Sequence, residues 1–282
     1  NCNSNQTVQL SNLNGSTNSF IAPICDITQD ACTNNSGIYG VEQYFYRGIV
    51  TLPACLSGSD FVISWNTCCR NSAITTLTNS GSNWLYATLN NTLAECNSSP
   101  AFNFEPTVYL CLGQKNHFNN GVTDIDDDSL VFSLTDCLDN PSSSVGYNAP
   151  FSGTNPLSTT VPISIDPATG QLNMTPIALE VGVLCIKVEE FRNGVKISEV
   201  LRDLQFSVID CGINTVPFVS GINGTADSTG ITGSFQRQAC VGEDFCFDVD
   251  AFDLQGAIAF QDIEMEWSVG VAGATFIIDD SG

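Results

Sequence analysis

Short runs of β-branched and aromatic residues recur along the chain, each bounded by Pro, Gly, Ser, Asn or Asp. That spacing predicts strands over 44–52, 61–65, 84–89, 107–112, 130–134, 183–188, 204–209, 245–249 and 263–269. No stretch of helical length carries an i, i+3, i+4 apolar stripe free of Gly, Pro and β-branched residues, so helices are expected to be short or absent. Many short strands separated by turn residues make antiparallel β-sandwiches the expected fold class.

A sequence repeat sets the expected domain count. Cys111-Leu112-Gly113-Gln114, followed by Phe118 and Asp124, aligns without gaps on Cys240-Val241-Gly242-Glu243, followed by Phe247 and Asp253. The repeat predicts a Cys-rich sandwich over 1–103 that lacks its first strands, a second sandwich over 104–211, and the start of a truncated third over 212–282.

Composition narrows the setting. With 8 Lys+Arg against 30 Asp+Glu, the formal charge is −22, which rules out a phosphate-tracking nucleic-acid surface. A hydrophobic fraction of 43%, with 17 Phe and 3 Trp, supplies a core and excludes disorder. The 13 cysteines show no zinc-like spacing and point to disulfides in an oxidising compartment. Cys68 and Cys69, being adjacent, are expected to reach different partners. From the repeat, Cys240 is expected to bond Cys246, and Cys111 to bond one of Cys137, Cys185 and Cys211. There is no Met start, signal peptide or transmembrane run, so the chain reads as a segment of a longer exported polypeptide.

The densest chemistry is Asp124-Ile125-Asp126-Asp127-Asp128, four carboxylates in five residues directly before an apolar strand. Held close, such groups repel, and a hard cation that takes six to eight oxygen ligands turns the repulsion into binding. Asp124, Asp126, Asp127 and Asp128 are therefore candidate Ca2+ ligands. The loop is not an EF-hand, because Ser129 and Thr135 stand at the positions of the required Gly and Glu. The aligned third loop keeps Asp253 but not the acids after it, and is expected to bind weakly or to use Asp248 and Asp250. Further on, Asp166-Pro167-Ala168-Thr169-Gly170 has the residues of a tight turn between strands.

These two signatures resemble the bacterial cadherin-like and immunoglobulin-like modules, where an Asp-x-Asp-Gly-Asp-x-Leu loop precedes one strand and Asp-Pro-x-Thr-Gly another. Asp127 stands where that loop has Gly. Gly40 to Tyr44, Tyr46-Arg47-Gly48, Val50 to Pro53, Cys68-Cys69-Arg70-Asn71, Tyr147 to Pro150, Val188-Glu189-Glu190 and Arg202-Asp203 further resemble the N-terminal region of very large surface proteins of gliding bacteria that use type IX secretion. The resemblance implies a secreted, cell-surface role as adhesin, stalk or filament, and names no ligand. It also places the strand of Glu189 and Glu190 in the module of the acidic loop, making either one a candidate further ligand.

Catalysis has little to stand on. The single histidine, His117, aligns with Cys246 in the repeat, and no Gly-x-Ser-x-Gly elbow occurs. Glu189 and Glu190 are adjacent on a strand and should point to opposite faces. A non-enzymatic structural or adhesive segment is the expected function. Its partners would be other modules of the same chain, surface glycans or further copies in a filament, with no nucleic acid and no membrane span. The alternative is a carbohydrate-binding module using Trp65, Trp84, Tyr86 and Tyr109 as a stacking platform. Sequons begin at Asn5, Asn14, Asn34, Asn90, Asn97, Asn173 and Asn223.

Overall fold

The apolar run at 183–188 becomes the centre of the fold. In the computed structural model of the chain, the described residues are 6–12, 19–20, 41–52, 60–212 and, within 215–253, 215, 217–227, 230–234, 238, 240 and 242–253. Packing divides the chain into two units, Asn1–Ile209 and Asp210–Gly282. Among the described residues there is no helix, so none is long and apolar enough to cross a membrane.

The first unit is built on β1 (Phe61–Cys68), β2 (Ser82–Leu89), β3 (Thr107–Cys111), β4 (Asn116–Phe118), β5 (Ser129–Thr135), β6 (Ser164–Ile165), β7 (Leu172–Met174), β8 (Val181–Arg192) and β9 (Val195–Ile209). Its main sheet runs β5-β8-β9-β2-β1, and β3 joins alongside β9. The 15-residue β9 shares one edge between two partners: Ser198 to Val200 pair antiparallel with β2, and Gln205 to Ile209 pair parallel with β3. A smaller sheet, β6-β7-β4, lies over one face.

Strand alternation distributes β8 between two cores. Leu184, Ile186 and Val188 join Leu110, Phe132, Leu172, Leu204 and Phe206 between the two sheets. Val183 and Cys185 pack on the opposite face with Leu77, Cys137, Val145 and Leu201. Burial on both faces is why residues 181–186 of this strand read as one apolar run, broken only at Lys187.

The boundary expected near 103 is absent, because β2 hydrogen-bonds directly to β9 within one sheet. Residues 61–89 complete the sheet that the expected second module was to form alone. Arg70 secures this join. Its guanidinium meets Asp203 at 2.7 Å with both side chains nearly buried, and it donates to the carbonyls of Ser82 and Leu138.

Turn chemistry matches the sequence where Gly demanded it. Asp166 Oδ1 accepts from the backbone N–H groups of Ala168 and Thr169, and Gly170 takes φ +71° to close the β6–β7 connection. The Cys111–Gln114 repeat is one turn used twice. Gln114 N–H bonds Cys111 C=O at 3.2 Å, Glu243 N–H bonds Cys240 C=O at 3.3 Å, and Gly113 and Gly242 both have positive φ.

The cysteine expectations divide. Cys137 and Cys185 are bonded to each other, fully buried, with Cα atoms 5.1 Å apart. Cys111 and Cys211 are each disulfide-bonded. Cys240 and Cys246 are free and exposed, so the bridge expected between them does not form. The shared turn explains this: in the first unit it sends residue 117 into β4, in a different sheet from Cys111 on β3, so a residue six places on is not returned to its starting cysteine. Cys68 and Cys69, expected to part, are bonded to each other across a cis peptide with Cα atoms 3.1 Å apart.

In the second unit Phe218–Val219 pairs with Ala251–Phe252, and Ala226–Asp227 with Gly230–Ile231. The strand expected over 245–249 is not formed, although Asn223 N–H donates to Asp248 C=O at 2.8 Å there, and 263–269 lies outside the described residues.

Candidate metal centre

Antiparallel register brings the acidic loop to the end of β8. Ser129 pairs with Phe191 and Leu130 with Glu190, so the residues just before Ser129 run beside Arg192. The loop folds on itself through Asp124, whose Oδ1 accepts from the N–H groups of Asp126 at 2.9 Å and Asp128 at 3.1 Å. This leaves Asp127 at φ +59°, the left-handed conformation that Gly would take without cost.

The loop's alternation selects three of the four expected ligands. One carboxylate oxygen from each of Asp124, Asp126 and Asp128 lies within 4.8 Å of the other two, and Asp127 is not in that group. Of the two candidate glutamates, Glu190 reaches the loop. It is fully buried and accepts from Asn97 Nδ2 at 3.1 Å, and its Oε2 has no hydrogen-bond partner among the described residues. Asp124 Oδ2 is buried and unpartnered as well. Burial pushes the Glu190 carboxyl up, against the nearby Ser198 hydroxyl and the Asn97 hydrogen bond that pull it down, and the adjacent Asp124 carboxyl raises it further. Glu189 faces the other way and meets Lys196 at 2.6 Å and Lys187 at 3.5 Å.

One cation of the protein already sits at the loop. Arg192 forks onto Asp128, with Nε to Oδ1 at 2.8 Å and Nη2 to Oδ2 at 2.7 Å, and lies 3.7 Å from Asp126. The Asp128 hydrogen bonds, and then the charges of Asp128, Asp126 and Asp124, hold its guanidinium above its ordinary range. Sequence reasoning missed Arg192. The signal lay in Asn193-Gly194, a two-residue hairpin turn with φ +54° and +77° that sets Arg192 as the last residue of β8.

Other candidate groups lie elsewhere. Cys137, Cys185 and Asp203 also converge within 4.8 Å, but both sulfurs are committed to their disulfide. In the second unit Asp250 accepts from Ala226 N–H and Asp253 from Thr215 Oγ1, and Asp248 and Asp250 belong to no converging group among the described residues. His117 pairs with Asn173 across β4 and β7, at 2.5 Å. The aromatic platform is split: Trp65 pairs with Leu85 on one face of the sheet, while Trp84 and Tyr86 share the other. Trp84 is buried, and Tyr86 donates to Glu199 at 2.7 Å. Four sequon asparagines are used internally: Asn90 donates to Asp60, Asn97 bonds both Glu190 and Arg192, Asn173 pairs with His117, and Asn223 Oδ1 accepts from Asp248 N–H.

No known protein family, curated protein or solved structure matches the chain.

Proposed function

We propose that this chain is a non-catalytic, disulfide-stapled segment of an exported cell-surface protein, structural or adhesive in role, whose first unit is stiffened by a Ca2+ ion at Asp124, Asp126, Asp128 and Glu190. The observation that carries the reading is the buried Glu190 carboxylate, with an unpartnered oxygen, beside three converging aspartates. Leaving a buried carboxylate oxygen without a donor is costly, and a hard divalent cation with oxygen ligands removes that cost. Carbonyls and water would complete the shell. The likeness to surface proteins of gliding, type IX-secreting bacteria and the buried Cys137–Cys185 bond support an extracellular setting. Glycan binding is the weaker alternative, because Trp65 and Trp84 face opposite sides of the sheet.

Calorimetric titration of the full chain with Ca2+ tests the reading. Ion at a hundred times its dissociation constant should raise the melting temperature of the first unit by about 5–10 °C over chelator-treated protein. Glu190→Gln, which keeps the shape and removes the charge, should abolish most of that increment. No heat of binding and no chelator effect would refute the proposed ion.

A further inference from the structure

Every polar tie between residues 96–98 and the rest of the site runs through a group that an ion would recruit or repel. Ser98 N–H donates to Asp126 Oδ2 at 2.6 Å. Asn97 Nδ2 donates to Glu190 Oε1 at 3.1 Å, and its Oδ1 accepts from Arg192 Nη2 at 2.9 Å. Arg192 Nη1 donates to the Cys96 carbonyl at 3.0 Å. Arg192 is thus the hub of two sets of contacts, its fork on Asp128 and its grip on the 96–98 segment. Cys96, on that segment, carries a free and exposed thiol.

We infer that Arg192 is an internal counter-cation which a divalent ion must displace, so that occupancy of the site is converted into release of the 96–98 segment. The inference rests on the cation reading above. Asp128 has a side chain only 3% exposed, and both its oxygens are taken by the guanidinium. A divalent ion bound by Asp124, Asp126 and Asp128 needs at least one of those oxygens at about 2.3–2.6 Å. That position sets two positive groups around one carboxylate, and the less strongly held guanidinium turns outward. Its outward path is open, because the Arg192 side chain is 30% exposed. Turning out breaks the bonds to Cys96 and Asn97 together, and the ion draws Asp126 and Glu190 away from Ser98 and Asn97. The unpartnered Glu190 Oε2, on a wholly buried side chain next to the Asp124 carboxyl, is what marks the aspartates as a cation site rather than a solvated turn.

Two measurements on the full chain test this, with Ca2+ as the probe. In calorimetry, Arg192→Gln should bind about ten-fold tighter or better than the native chain, because the competing cation is gone. Lys196→Gln, which removes one positive charge on the Glu189 side of β8, should leave the affinity where it is. In the unmodified protein, alkylation of Cys96, followed on its own peptide by mass spectrometry, should quicken several-fold when Ca2+ is added, with Cys240 and Cys246 as unchanged references. Native binding with Arg192→Gln equal or weaker, or with Cys96 alkylation unchanged, overturns the displacement and leaves the ion site standing. Ca2+ binding only to Arg192→Gln would mean that the arginine replaces the ion permanently, which overturns it too. Absence of binding in both proteins removes the site itself and the inference with it.

Discussion

At the scale of single residues, Asp127 shows how a departure from pattern is absorbed. Left-handed backbone is disfavoured for residues with a Cβ, least so for Asp and Asn, whose short polar side chains can bond locally. Asp127 occupies that conformation in the loop where the resembling modules carry Gly. Asp127→Gly should therefore be tolerated, with calcium affinity retained because the side chain is not among the converging carboxylates. Asp127→Val should destabilise the unit by about 1–2 kcal/mol through the strained φ alone. Chemical denaturation of the two variants checks the order, and a Gly variant less stable than the Val variant would contradict it. The acid cluster was legible in the sequence, whereas its membership was not. Which carboxylates converge is decided by the Asx turn at Asp124 and by β8 alternation, and neither shows in a count of acids.

At the scale of elements, the β8–β9 hairpin marks where sequence reading stopped short. Val183 to Ile186 is apolar on both faces and reads as a strand at once. Val195 to Asp203 mixes Lys, Glu, Arg and Asp with apolar residues at uneven spacing, since its charged groups meet partners on other segments: Lys196 with Glu189 on β8, Glu199 with Tyr86 on β2, Asp203 with Arg70 in the loop after β1. Pairing partners are tertiary information, and only the Asn193-Gly194 turn could have announced the hairpin. The Cys137–Cys185 bond fixes β8 to the chain leaving β5 and closes a loop with a sequence separation of 48 residues. In the chain-entropy account that is worth about 4 kcal/mol. Replacing both cysteines by Ala should lower unfolding free energy by that order, read from guanidinium melts, while the far-ultraviolet spectrum stays β-like. A change below about 1 kcal/mol would mean that packing alone holds the two strands together.

At the scale of the whole molecule, the first unit folds from both sides of the boundary that the repeat suggested. Strand types and the turns at 111–114 and 166–170 were legible, because they rest on local chemistry. The unit's extent was not, because β2 finds β9 over a hundred residues away. A fragment spanning 104–211 lacks β1, β2 and Arg70. It also loses the exchange between Thr75 and Val181, in which Thr75 N–H donates to Val181 C=O at 2.8 Å and Val181 N–H to Thr75 Oγ1 at 3.0 Å. Asp203 would be left in its apolar surroundings without its cation. Burial already pushes its carboxyl up, against the pull of Arg70's charge and hydrogen bond. The 104–211 fragment should therefore not melt cooperatively, whereas 1–209 should. Within the intact chain, Arg70→Met should cost about 3–5 kcal/mol, and adding Asp203→Leu should recover most of it, because an orphaned buried charge costs more than an apolar pair. The loss in Arg70→Met should also shrink on acidification. With its carboxyl raised, the native state binds more protons than the unfolded one between the unfolded value, about 3.9, and the raised native value, so stability gains as pH falls through that window. Denaturant melts at two pH values measure this. A 104–211 fragment that melts as sharply as 1–209, or an Arg70→Met deficit that grows with acid, would refute the single-unit account.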